Sequence, residues 1–529
     1  MSLFFAFLVA AIPGLPLAAG LMARTRDAGA AGRLTVRAAL LAAGLALVAA
    51  AYAALIGSHT VRWAPLGPDA AFALALRLDA VSAIMIVLIT FLGATVLRFS
   101  RHYLAGDPAQ ARFFSWMSLT LGAVLMLVLS GHLLLLLLAW VATSLCLHRL
   151  LLHYPGRPGA VFSARKKFVI SRLGDACLLA AALVLYAHHH TFDLESLFAS
   201  IAAGNTAGLG TASLLLAACA MLKSAQFPFH SWLPDTMETP TPVSAFMHAG
   251  IINAGGFLVV RFSPLFAAAP TASQILAVVG AITAAFGAIV MLAQPSVKRA
   301  LAYSTIAQMG FMILQCGLGA YGLALLHICA HSLYKAHAFL TAGSTIGAVP
   351  RAALPLRTSA LTVGLLAGGL LVALGTTAVH TLAAGKLAYP GVFSVILVFA
   401  TAYVIARAWS ARGGAYVFAR GVGVALTVTG LSFGLHAAAT LLLRDLPAPT
   451  PSNGVVYAVG AVFALLFLFQ SLLWRTGRHP IGRLLYVHAL NGFYLGTVLN
   501  RMLGRLWPAE PSTHISSCPI PSLQPAPHR

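Results

Sequence analysis

The chain has 529 residues, of which 60% are hydrophobic and only 8% charged, with a formal charge of +22 and a mean hydropathy of +0.90. Soluble domains carry roughly a quarter of their residues charged, so a soluble class is excluded. The longest non-hydrophobic stretches, about twenty residues each, fall short of the ~50 residues that a separate catalytic domain needs. Gly-rich nucleotide loops, Walker motifs and heme-attachment motifs are absent from the sequence.

Apolar windows recur down the chain, each long enough for a hydrocarbon core roughly 30 Å thick. They fall near 2–22, 34–56, 78–97, 113–130, 132–152, 168–187, 209–227, 243–262, 271–293, 300–317, 321–346, 358–380, 391–410, 421–443, 454–474 and 484–506. The predicted fold class is an all-α polytopic membrane protein of about 14–16 transmembrane helices. The first window lacks a basic leader and a cleavage site, and reads as a retained helix. The tail 509–529, rich in Pro and Ser, reads as disordered.

The excess of basic residues first suggests nucleic acid, but their placement argues otherwise. Assigned to alternate loops, 22 lie on one side, running from Arg24 to Arg483 and including Arg157, Arg165, Lys166 and Lys167. The other side, with the tail, holds 8: Arg62, Arg77, Arg261, Lys386, Arg444, Arg501, Arg505 and Arg529. That asymmetry is the signature of a threaded bundle whose basic loops are cytoplasmic, with the N-terminus outside, rather than of a nucleic-acid partner. The 6 cysteines are scattered without a CxxC pair, so neither a disulfide framework nor a metal site is predicted.

Subtracting the loops leaves Arg172, Lys223 and Lys335 inside spans, where each costs about 2.5–3.5 kcal/mol at a helix centre. Arg172 is followed three residues later by Asp175 on the same face, so this pair is either structural or modulates a neighbour. Lys223 has no acid on its own helix, which favours a proton-carrying role over snorkelling. His327, His331 and Lys335 recur at i, i+4 and i+8 and form one stripe about 12 Å deep. Imidazoles and an amine in such a stripe suit proton relay; a structural polar contact and a two-histidine metal site are the alternatives.

The stretch SAQFPFHSWLPDTMETPTPVSAFMHA concentrates helix breakers and polarity. Pro228 and Pro234 interrupt the helix that carries Lys223, and irregular backbone at membrane depth survives only where it is buried or lines a wet cavity. The predicted mouth comprises Pro228, His230, Pro234, Asp235 and Glu238. His248 continues the polar path inward, and Thr241 and Ser244 are candidate caps of the next helix. An ordinary Pro-rich loop is the competing reading.

The runs KSAQFPFHSWLPDTMETPTPVSAFMHAG (Lys223 to Gly250), VKRALAYSTIAQMGFM (Val297 to Met312) and HICAHSLYKAHAFLTAGS (His327 to Ser344) resemble the proton-translocating antiporter-like family. That family includes subunit L of respiratory complex I and the large subunits of Mrp antiporters. FSRHYLAGDPAQARFFSW (Phe99 to Trp116) and KKFVISRLGDACLLAAALVLY (Lys166 to Tyr186) resemble it too, so the likeness covers roughly residues 80–350. The resemblance implies two inverted five-helix repeats, each with a broken helix, and a hydrated axis of lysines and histidines. It divides the chain into N-terminal helices (1–110), a first repeat (111–262), a second repeat (263–411) and C-terminal helices (412–508).

On that basis Lys223 is the broken-helix lysine, His248 its relay, and His327, His331 and Lys335 the link to the second repeat. Two positions depart from the family pattern. Val141 stands where family members carry a glutamate, and the second repeat offers only His380 within its span and Lys386 beyond it. The ending HPIGRLLYVHALNGFYLGTVLNRMLGRLWP (His479 to Pro508) and the VATSLCLHRLL run look like the membrane subunits of DAB inorganic carbon transporters. This further resemblance implies an ion-conducting subunit, itself without cofactor or catalysis. Its expected partner is a soluble zinc protein resembling β-carbonic anhydrases, DabA, on the cytoplasmic side of the bacterial inner membrane. The alternative is a proton-pumping subunit of a NADH-quinone oxidoreductase or an Mrp-type antiporter.

Overall fold

The computed structural model describes residues 2–63, 74–345, 358–382, 391–411, 414–447, 451–476 and 480–507. The tail 509–529 with Cys518, the loop basics Arg351, Arg357, Arg412 and Arg478, and Lys386 lie outside the described residues.

The chain opens with α1 (Ser2–Met22), α2 (Ala28–Ile56), α3 (Ala80–Tyr103), α4 (Gln110–Leu129) and α5 (Leu133–Leu151). Short polar residues set the starts of α2 and α3, as the orphan N–H groups of a first turn require. Asp27 accepts from the Ala30 N–H at the head of α2, and Asp79 and Ser82 form a reciprocal box at the head of α3. Hydroxyls stitch α4 to α1: Ser115 donates to the Gly20 carbonyl at 2.7 Å and Ser118 to that of Pro16 at 2.8 Å. Between α2 and α3 the chain forms an antiparallel hairpin, β1 (His59–Trp63) with β2 (Leu74–Leu78), in a segment that the apolar windows passed over.

Next comes α6 (Pro158–His189), which starts ten residues before its predicted window because Pro158 fits a helix N-terminus. It is followed by α7 (Leu194–Ala202) and α8 (Leu209–Lys223), which stops at the lysine. Beyond the break lie α9 (Trp232–Asp235), α10 (Thr241–Ala249), α11 (Ala254–Arg261) and α12 (Ser263–Ala268). The window predicted as one span over 243–262 is one span, Thr241–Arg261, built from two helices parted at Gly250 to Asn253.

The second half contains α13 (Pro270–Ala293), α14 (Val297–Gly317), α15 (Tyr321–Leu340), α16 (Thr358–Leu382), α17 (Gly391–Ser410), α18 (Gly414–Leu442) and α19 (Asn453–Thr476). Helices α13 and α14 meet backbone to backbone through small residues: a Cβ on Gly280 would lie 2.7 Å from the Gly310 carbonyl oxygen. The last predicted window, 484–506, is not one span. It is α20 (Pro480–Leu490) and α21 (Leu495–Leu506), of 11 and 12 residues, parted by Gly492, Phe493 and Tyr494, all at positive φ.

Twelve described spans are long and apolar enough to cross a membrane. Helices α14 and α15 match them in length at 21 and 20 residues but carry the polar stripes. On the less basic face, Arg261 and Arg77 both pair with Asp79, and Arg62 pairs with Asp193 at 2.6 Å. These contacts tie the hairpin, α3, α7 and α11 together.

Candidate functional site

Lys223 is the last residue of α8 and is 8% exposed. A helix C-terminus directs its free carbonyls and partial negative charge towards a cation there. The ammonium sits 4.6 Å from the centre of the Trp140 ring on α5 and has no hydrogen-bond partner among the described residues. A π face is the partner that Val141 cannot supply, since it turns a flat apolar surface into a weak cation site. Asp175 on α6 lies within electrostatic reach. It is ion-paired with Arg172 at 2.7 Å, so the predicted pair borders Lys223 rather than standing apart.

The break after Lys223 is held by side chains. Ser224 donates to the Ile252 carbonyl at 2.7 Å, Gln226 to that of Ser224 at 2.8 Å, and the Phe227 N–H donates to Thr283 at 3.0 Å. These bonds satisfy backbone groups that a broken helix would otherwise leave unpaired inside the bundle. The Phe227–Pro228 peptide is cis. His230 is buried against Phe286, ring centres 4.6 Å apart. Pro234, Asp235 and Glu238 line a cleft of about 650 Å³ together with Arg157, Lys298 and Asn500. Thr241 and Ser244 do not cap α10, which has no side-chain cap; Thr241 instead meets the Tyr103 hydroxyl at 3.1 Å and Ser244 meets Thr239 at 3.4 Å.

Deeper in, His248 and the α15 stripe are joined through α14. His248 Nδ1 meets Thr305 Oγ1 at 3.0 Å, Thr305 donates to the Leu301 carbonyl at 3.0 Å, and Lys335 Nζ donates to that same oxygen at 3.0 Å. His248 is fully buried, as is Lys335. His327 pairs with Gln315 at 2.9 Å, and its ring centre lies 6.2 Å from that of His331, whose two ring nitrogens have no partner among the described residues. Asn253, in the second break, donates to the Ala249 carbonyl and to Ser332, both at 2.8 Å. Among the described residues no group of three or more His, Cys, Asp or Glu is placed to hold a metal ion.

The placement of two lysines is also corrected. Lys166 and Lys167, assigned to a loop, are built into α6 and are 1% and 3% exposed. Lys166 donates to Asp235 at 2.8 Å and to Asn500 at 2.7 Å, and Lys167 donates to the carbonyl and hydroxyl of Ser144, both at 2.9 Å. Their RKK run beside Pro158 looked like a solvated loop, and only the long helix buries them. His380 lies in the last turn of the continuous helix α16 and is exposed. Sequence reasoning also missed Trp140, Ser144, Thr305, Gln315 and Asn253, which are uncharged and read as ordinary helix.

Residues 130–427 match the family described as NADH:quinone oxidoreductase/Mrp antiporter, TM, and residues 63–114 match the complex I chain 5 N-terminus. A probable inorganic carbon transporter subunit DabB2 of Halothiobacillus neapolitanus is 38% identical over 83% of this chain and 81% of its own length. A probable inorganic carbon transporter subunit DabB of Hydrogenovibrio crunogenus is 45% identical over 50% of this chain, a match that spans about half, 52%, of that relative. The Mrp complex of Dietzia sp. contains a chain that superposes with a TM-score of 0.59 over 96% of this chain and 57% of its own, at 24% identity, a likeness of fold. The chain belongs to the NADH:quinone oxidoreductase/Mrp antiporter family of polytopic membrane proteins.

Proposed function

We propose that this chain is the ion-conducting membrane subunit of an inorganic carbon transporter, and that the ion is the proton. The observation that carries the ionic part is the hydrogen-bonded link from Lys335 through the Leu301 carbonyl and Thr305 to His248. Lys335 and His248 can each hold a proton and the Thr305 hydroxyl can pass one, while the Leu301 carbonyl, an acceptor only, holds the two donors side by side; amines and imidazoles at membrane depth are functional groups by default. Sodium is disfavoured because the cluster offers nitrogen and hydroxyl donors in place of a carboxylate cage.

Lys223, with the Arg172–Asp175 pair beside it, is the first carrier. His248 is its relay, and Lys335 with His331 and His327 leads on towards the second repeat. Pro228, His230, Pro234, Asp235 and Glu238 frame the cytoplasmic mouth. A proton taken up by neutral Lys223 is favoured by the Trp140 ring and the Asp175 charge, and is released as charge builds at the neighbouring lysines. Identity of 38% over 83% of the chain to a probable inorganic carbon transporter subunit supports the carbon part. In this reading the chain sits in the bacterial inner membrane with its N-terminus outside and its basic loops cytoplasmic. It energises hydration of CO2 by a soluble zinc protein resembling β-carbonic anhydrases and carries no cofactor itself.

The test is purification in mild detergent with partner identification and zinc analysis. One dominant soluble partner containing zinc is the expected result. Recovery of flavin and iron–sulfur subunits, or of the other Mrp chains, would overturn the carbon assignment in favour of a respiratory or antiporter complex.

A further inference from the structure

Three residues on α5, Trp140, Ser144 and His148, recur every four positions and so share one face over about 12 Å. Each meets a titratable group or α6. Trp140 carries the Lys223 ammonium at 4.6 Å. Ser144 accepts from Lys167 at its hydroxyl and its carbonyl, both at 2.9 Å. His148 packs its ring 5.2 Å from that of Phe168, one residue beyond Lys167, and its Nδ1 is buried without a partner among the described residues. His148 lies in the last turn of α5, at the basic face. The column therefore runs from the basic face to Lys223 and does not pass through the broken-helix mouth.

A packing role explains this column poorly. Lys167 is 3% exposed, and among the described residues its ammonium donates to Ser144 and to no carboxylate. It lies within electrostatic reach of Lys223, Arg172 and Asp175. Burying a second ammonium beside a first is costly, so two adjacent amines are placed poorly for two permanent charges and well for sharing one proton.

We propose that His148, Ser144 and Lys167 form a second, cytoplasm-facing proton branch that loads Lys223 along α5. The inference rests on the proton-conducting reading above. A proton from bulk water binds His148 at Nδ1 and passes by way of water and the Ser144 hydroxyl to neutral Lys167. Lys167 then hands a proton on to neutral Lys223 and returns to its neutral state. One proton moves inward, and no other bond changes.

The experiment uses the full chain with its 6 cysteines replaced by alanine, in membranes and then in liposomes. Single Ser144→Cys, His148→Cys and Leu145→Cys variants are exposed from the basic face to a membrane-impermeant cationic thiosulfonate. Leu145 is on the same helix but 42% exposed on its outer side. Preferential labelling at positions 144 and 148 over 145 is expected, with a rate that falls towards 144. In liposomes with an internal pH dye, Lys167→Met is expected to slow proton entry about twofold, the mouth continuing to supply Lys223, and Lys167→Arg, which keeps the charge but cannot release its proton, to slow it as much. Labelling at 144 no greater than at 145, or wild-type flux in Lys167→Met, would overturn the branch. If the parent protein passes no protons at all, the proposed function falls, and the labelling arm alone then decides whether the wet column exists.

Discussion

Lys335 and Thr305, on different helices, donate to a single atom, the Leu301 carbonyl oxygen, each at 3.0 Å. Leu301 already belongs to the helical ladder of α14, so this oxygen takes part in an extended network in which each bond polarises the next. Thr305 is the only side chain of the three that bridges to His248.

Thr305→Val keeps the shape of the side chain and removes the hydroxyl. It leaves His248 with an unmet buried nitrogen, a loss of about 1–3 kcal/mol. The expected outcome is a drop in proton flux of about tenfold, equivalent to ~1.4 kcal/mol on the barrier, with normal membrane expression. Thr305→Ser should recover most of the flux. Liposome flux at matched protein content measures both.

Lys223 and Lys335 offer a test of series connection. If protons cross both, Lys223→Met and Lys335→Met each stop transfer, and the double variant is no slower than either single, because residues that act as one unit are strongly non-additive. Two independent routes would instead give losses that multiply. Trp140→Leu is expected to be milder, since a cation–π contact in a desolvated setting contributes about 2 kcal/mol. Its effect should vanish in the Lys223→Met background.

The stripe on α15 was legible because charged and imidazole side chains at four-residue spacing stand out against Leu, Ala and Ile. The break after Lys223 was legible because Pro228 and Pro234 cannot continue a helix. Lys167 was hidden by its neighbours: a run of three basic residues near Pro158 has the same composition whether it is a loop or the first turns of a buried helix. Thr305, Gln315 and Asn253 carry no charge, so nothing but tertiary packing marks them. Trp140 is a partner of Lys223 only because α5 and α8 meet there. The division of 484–506 had a local signal in Asn491-Gly492, a turn dipeptide, that the apolar window averaged away.

Asp79 allows a prediction of stability against pH. Burial would raise its carboxyl, but Arg261, then Arg77, and the Ser82 N–H outweigh that and hold it well below the usual carboxylate range. A folded-state value below the unfolded one means that its contribution is complete above the unfolded value of 3.8 and is lost as pH falls towards the folded value. Thermal unfolding in detergent should therefore show no Asp79-dependent change from pH 7 down to about 5. Asp79→Asn should lower stability across that range by about 3–5 kcal/mol, because Arg261 stays buried without its partner. A variant whose deficit appeared only below pH 5 would contradict this account of the ion pair.

Lys166 joins three parts of the chain at the cleft, donating from α6 to Asp235 at the break and to Asn500 on α21. Arg165, beside it, lies 4.9 Å from the Trp507 ring at the end of α21. An amphipathic helix of 12 residues is marginal alone in water, so these contacts hold it across the mouth. Asn500→Ala removes one hydrogen bond to a charged donor, about 1.5–3 kcal/mol, and leaves Lys166 paired with Asp235. Limited proteolysis should then cut between Leu495 and Leu506 several-fold faster while the bundle melts near its parent temperature. Asp235→Asn should do the reverse: Lys166 loses its counter-charge at 1% exposure, so the whole bundle loses stability and α21 is no longer selectively cleaved. Equal proteolysis in the parent and in Asn500→Ala would mean that α21 is held by its apolar face alone.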